Sequence, residues 1–113
     1  MTDVISWTSI EGLEKAMGVP AAHAFAKRLV SFLELKVAEI PAAFNSGDGD
    51  TIRNCVHKLA SNAAALGALR LSAMAREIET LCQEEKPAEA AGRQQALAAL
   101  AAESLEILRQ RLT

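Results

Sequence analysis

The histidines and cysteines of this sequence are the imidazoles of His23 and His57 and the thiols of Cys55 and Cys82, side chains able to act as nucleophiles or metal ligands. Imidazole acts as a base, a ligand or a nucleophile, and the spacing of its neighbours decides which. Cys55 stands two residues before His57. On a helix that separation turns the two side chains about 200° apart, too far to make a thiolate–imidazole pair. A metal site in a helical bundle wants a second ligand one turn away, as in Glu-x-x-His. Around His57 those positions hold Arg53, Asn54, Ala60 and Ser61, none of them a strong ligand. A catalytic triad would need an orienting carboxylate and an oxyanion site, and neither is visible along the chain. What remains is nucleophilic use of the ring. An imidazole with the ordinary pKa of about 6.5 is mostly neutral at pH 7, and a neutral imidazole attacks phosphoryl groups. No carboxylate lies within one turn of His57 along the chain to compete with an arriving phosphate.

That use requires His57 to face solvent. At about 100° per residue, Ile52, Val56, Leu59, Ala63 and Leu66 gather within about 40° of one axis, and His57 falls about 140° from it. The ring is therefore expected outside. On its C-terminal side stand Ala60, Ser61 and Ala64, small residues that let another protein approach closely. Alanine is also simply the best helix former in an alanine-rich chain. His23 falls about 160° from the apolar side of its own helix as measured from Phe25, has no such patch, and is taken as incidental. The run Asp48-Gly49-Asp50 invites a calcium-loop reading, but the position where such a loop needs its glutamate holds Leu59.

The elements that would position His57 are helices. Thr8-Ser9-Ile10-Glu11 has the spacing of a capping box and starts a short first helix that Gly18 can end. Pro20 suits the first turn of a long second helix, roughly residues 20–45. Its apolar face is expected to be Phe25, Leu29, Phe32, Lys36, Ile40 and Phe44, with Leu33 and Val37 beside them, and Pro41 marks a kink or early end. Asn45-Ser46-Gly47-Asp48-Gly49-Asp50 is a loop, and Asp48 or Asp50 can cap the third helix. That helix runs to Leu66, with Gly67 as its left-handed terminus. A fourth, about 68–84, shows Leu71, Met74, Ile78 and Leu81 at bundle spacing. A fifth opens at Pro87 and runs toward Arg111, its face formed by Leu97, Leu100, Ser104, Leu108 and Leu112. Long helices joined by short loops pack as antiparallel neighbours. The expected fold is all-α: a four-helix up-down bundle with a short additional N-terminal helix, in one domain over residues 1–113.

Composition agrees. Half of the 113 residues are apolar, aromatics make up 4% and tyrosine is absent, a mixture that favours helices over strands. A net charge of −2 without a basic patch speaks against nucleic acid. No apolar run reaches the length of a membrane span, and the N-terminus has no signal-peptide pattern. Cys55 and Cys82, outside any CxxC spacing, suit reduced, buried thiols. A cytoplasmic protein is expected.

At this point the residues match a known pattern. His57-Lys58-Leu59-Ala60-Ser61, followed by Leu66-Gly67-Ala68 and Leu71, resembles the signature of the histidine phosphotransfer (HPt) domain family, His-x-Leu-Lys-Gly, then Leu-Gly and a leucine helix. The likeness extends to Met74–Glu79 and to the Ser46-Gly47-Asp48 loop. The resemblance implies a free-standing phosphorelay protein in which His57 carries a phosphoryl group on Nε2. It implies response-regulator receiver domains and a hybrid histidine kinase as partners, a monomeric state, no ATP-dependent kinase activity, and no cofactor of its own. Mg²⁺ would be bound by the partner receiver.

The chain departs from the signature at two positions, with Ala60 in place of the family's lysine and Ser61 in place of its glycine. Arg53, one turn before His57, and Lys58 are candidates to supply the missing cation. Ala60, Ser61 and Ala64 are candidates for the docking surface. A kinase dimerisation domain typically shows an acid after its histidine and then a proline, where Lys58 and Asn62 stand here. The alternatives are an HPt-like adaptor that binds a receiver or kinase without accepting phosphate, and a plain helical interaction module.

Overall fold

The computed structural model describes residues 3–112. Six helical segments follow one another: α1 (Thr8–Met17), α2 (Val19–Asn45), α3 (Gly49–Ala65), α4 (Leu69–Gln83), α5 (Pro87–Ala91) and α6 (Gln94–Leu112). The bundle is formed by α2, α3, α4 and α6: α3 packs on α4 and α2, and α6 closes the ring against α2 and α4. The 27 residues of α2 span about 40 Å at 1.5 Å per residue, close to the 44 Å long axis of the molecule. α1 packs on α2 as the additional N-terminal helix.

Local chemistry sets the helix ends around the site. Asp48 caps α3, its carboxylate accepting from the Asp50 amide at 3.3 Å and the Thr51 hydroxyl at 2.6 Å. At the other end, Gly67 has φ +79°. The Ala68 amide donates to the Ala63 carbonyl at 2.8 Å, and the Gly67 amide to the Ala64 carbonyl at 3.0 Å. This paired 6→1 and 5→2 arrangement is the left-handed helix terminus that glycine favours. It folds α4 straight back along α3. The preceding chain crosses this turn: Ser6 donates its amide to the Gly67 carbonyl at 2.7 Å, and Val4 and Ile5 are buried beside it.

Several expectations are corrected. Helix α1 begins at Thr8 after Trp7, with no side-chain cap, so the Thr8…Glu11 box is not formed. Pro41 neither ends nor divides α2, which continues to Asn45; the residue is exposed, so its ring displaces nothing in the core. The buried side of α2 is Ala22, Ala26, Val30, Leu33, Ile40, Ala43 and Phe44, while Phe25 is 43% and Phe32 55% exposed. The helix is apolar over most of its circumference; Ala22, Ala26 and Ala43, which permit close approach of neighbouring helices, turn inward, while Phe25 and Phe32 stay outside. The expected fifth helix is two segments, interrupted at Gly92–Arg93. Within α6, Leu97, Leu100, Ser104, Leu108 and Leu112 are all buried, as the spacing required. Both buried hydroxyls are satisfied by carbonyls: Ser72 by Ala60 at 2.9 Å and Ser104 by Leu100 at 2.7 Å.

Candidate functional site

Ile52, Val56, Leu59 and Ala63 anchor α3 in the core, which leaves His57 on the outer side of the helix with its side chain 58% exposed. The antiparallel return at Gly67 brings α4 level with it. Ten residues before that glycine stands His57; twelve after it stands Glu79. The Glu79 carboxylate, 16% exposed, meets the ring at Nδ1, with Oε2 at 2.7 Å. An ionised carboxylate only accepts. The neutral ring therefore keeps its hydrogen on Nδ1 and donates it to Glu79, which leaves Nε2 with a free lone pair. Nε2, separated from Nδ1 by Cε1, is then the ring nitrogen that Glu79 does not hold.

The ring also lines an open groove of about 510 Å³, together with Phe32 and Lys36 of α2 and Lys58, Ser61 and Asn62 of α3. The Ser61 hydroxyl folds back to donate to the His57 carbonyl at 3.3 Å, so it presents little bulk to an approaching molecule. Lys36 holds Glu39 at 3.3 Å through Nζ, and its side chain is 24% exposed. Lys58 is exposed and borders a second groove with Glu39, Asn54 and Cys55.

The structure separates the remaining sequence candidates. Arg53 is paired with Asp50 at 3.6 Å and lines a different groove, with Cys82, Gln83, Glu85 and Pro87. It thus lies toward α4, on the Glu79 side of His57. Ala60 is fully buried, pressed against α4 where its carbonyl takes the Ser72 hydroxyl. As a docking residue it is corrected: no part of its side chain reaches the surface. Ala64 is half-buried and Ser61 exposed.

His23 has a definite partner, Glu14 of α1, with Nε2 to Oε2 at 2.6 Å; this contact ties α1 to α2. Cys55 is buried and Cys82 half-buried, both reduced. Burial pushes both thiols above their ordinary range, which suppresses the reactive thiolate. Among the described residues no three His, Cys, Asp or Glu side chains gather as a metal site, and no described helix is long and apolar enough to cross a membrane.

Glu79 is the residue that inspection of the sequence around His57 did not find. Its signal is an acid beside the Leu71–Ile78 seam of α4, in a position that should pack on another helix; the register across the Gly67 turn then selects His57 as the residue opposite.

The site is thus an exposed imidazole with one nitrogen held by a carboxylate and the other free. The family model for the Hpt domain matches residues 25–111, which contain His57, Glu79 and the groove. Among solved structures, the histidine-containing phosphotransfer protein B of Pseudomonas aeruginosa PAO1 is similar in fold. Its TM-score is 0.79 at 18% identity, over 99% of this chain and 93% of that one. No curated protein sequence matches. With the family match extending over most of its length, the chain belongs to the Hpt domain family.

Proposed function

We propose that this protein is a phosphocarrier of a multistep phosphorelay, exchanging a phosphoryl group between His57 and the aspartates of receiver domains. One observation carries the reading: Glu79 holds Nδ1 at 2.7 Å while the exposed ring, its Nε2 not held by Glu79, borders an open groove. In the forward step the Nε2 lone pair attacks the phosphorus of a receiver's aspartyl phosphate. The N–P bond forms as the aspartyl O–P bond breaks, and the receiver recovers its carboxylate. The ring becomes a phosphoimidazolium whose positive charge and Nδ1–H face the Glu79 carboxylate. Transfer onward reverses these steps, the electron pair returning to Nε2. Glu79 therefore fixes the reactive tautomer and offsets the charge that develops on the ring. Mg²⁺ and the acidic pocket belong to the receiver in this scheme, and the phosphoryl donor is a partner's aspartyl phosphate, such as that of a hybrid histidine kinase.

The groove supports docking as well. Phe32, 55% exposed, puts an aromatic side chain beside the imidazole, and such residues commonly anchor protein contacts. The test is incubation with phosphorylated receiver domains, with His57→Gln as control. Acid-labile, base-stable label on the wild type and none on the mutant is expected. Label persisting in the mutant would rule out His57. A receiver that binds the protein yet never labels it would favour an adaptor.

A further inference from the structure

We propose that Lys36 of α2 is the phosphate-contacting cation of this site, standing in for the lysine that the sequence lacks at Ala60. This rests on His57 as the phosphoacceptor. With Nδ1 committed to Glu79, the phosphoryl group goes to Nε2, the ring nitrogen that Glu79 does not hold. Arg53 is paired with Asp50 and lines a different groove, beside Cys82. The cations that share a groove with the ring are Lys36 and Lys58.

Lys58 follows His57 directly on the same helix. Adjacent helical residues do not face each other, and Lys58 projects about 100° around α3 from the ring. Lys36 approaches from a different helix, and its stem is largely covered, with the side chain 24% exposed. Partial desolvation strengthens its attraction to a dianion. Its partner in the free protein is Glu39, in an i,i+3 pair at 3.3 Å whose carboxylate is half exposed. Such pairs are weak, so the ammonium can move from Glu39 to an arriving phosphoryl group at small cost. In the phosphorylated protein Lys36 then bridges α2 and α3 through the phosphate.

The experiment uses the full chain with phosphoramidate, which labels histidine without any receiver. The Nε2–P bond forms as the donor's N–P bond breaks, and ammonia departs. Two quantities are read: the labelling rate, and the pH at which the bound phosphoryl group takes up its proton, followed by ³¹P NMR. A nearby ammonium favours the dianion and lowers that pH. Lys36→Ala is expected to slow labelling by about three- to tenfold, the worth of one charge-assisted contact at a partly exposed site, and to raise the protonation pH. Lys36→Arg should remain near the wild type, and Glu39→Gln should shift both readouts in the opposite direction. Lys36→Ala indistinguishable from the wild type on a labelled His57 would overturn the assignment, as would an equal or larger effect of Lys58→Ala. Failure of the wild type to label at His57 would instead overturn the phosphoacceptor reading itself.

Discussion

At the scale of single residues, the decisive contact is made by a side chain from another helix. An exposed imidazole with no partner distributes its proton between two nitrogens and rotates freely. One that donates from Nδ1 to a carboxylate has its tautomer and orientation set before the partner arrives. Glu79→Ala should therefore lower the rate of phosphoryl transfer by about tenfold, at the lower end of what loss of such an orienting partner costs. Glu79→Gln, whose amide oxygen still accepts from Nδ1, should lose less. Transfer kinetics with a phosphorylated receiver check this. Equal rates for all three proteins would mean that the contact does not prepare the ring. Glu79 also shows where inspection of neighbouring residues stops: a search within one turn along α3 correctly finds no carboxylate, because the carboxylate comes across the helix interface.

At the scale of elements, the turn at Gly67 sets the register that brings Glu79 opposite His57. Its φ of +79° lies in the left-handed region, and a Cβ built there would collide with the Ser6 carbonyl oxygen. Gly67→Ala combines backbone strain with displacement of the N-terminal strand of chain, and should destabilise the protein by about 2 kcal/mol or more. Urea unfolding measures the loss, and an unchanged midpoint would show that the crossing segment is not seated on the turn. The opposite end of α3 has a pH signature. The Thr51 hydroxyl, with the Asp50 amide second, holds the Asp48 carboxyl below its usual range. A depressed folded-state pKa stabilises above the unfolded value, and that contribution is lost as pH falls through the folded one. Asp48→Ala should therefore be less stable than the wild type at pH 7, and the difference should shrink below about pH 4, where the unfolded carboxylate takes up its proton. Parallel thermal melts at the two pH values test the sign. A gap that widens in acid would contradict the assignment of Asp48 as an ionised cap.

At the scale of the whole molecule, the sequence was most informative where a helix has a single apolar face. Ile52, Val56, Leu59 and Ala63 define the core side of α3 without ambiguity, so the outward direction of His57 follows from rotation alone. The α6 leucines behave in the same way. In α2 apolar residues occupy most of the circumference, and the choice of face depends on which neighbours need close approach. Ala22 and Ala26 go inside, and Phe32 is left beside the imidazole. That misassignment bears on function, because a phenylalanine exposed at the groove of His57 is accessible to a partner, as a core residue is not. Phe32→Ala should leave the unfolding free energy within about 0.5 kcal/mol of the wild type, yet weaken receiver binding by about fivefold or more. Calorimetric titration with a receiver, alongside urea unfolding, separates the two effects. A large stability loss would place Phe32 back in the core.

The most direct question is which atom carries the phosphate. Phosphorylated protein containing ¹⁵N-labelled histidine, followed by ³¹P and ¹⁵N NMR, distinguishes the two ring nitrogens. One phosphoryl group is expected, bonded to Nε2 of His57, with the Nδ1 hydrogen retained opposite Glu79. A phosphoryl group on Nδ1, or on any residue other than His57, would contradict this picture of the site.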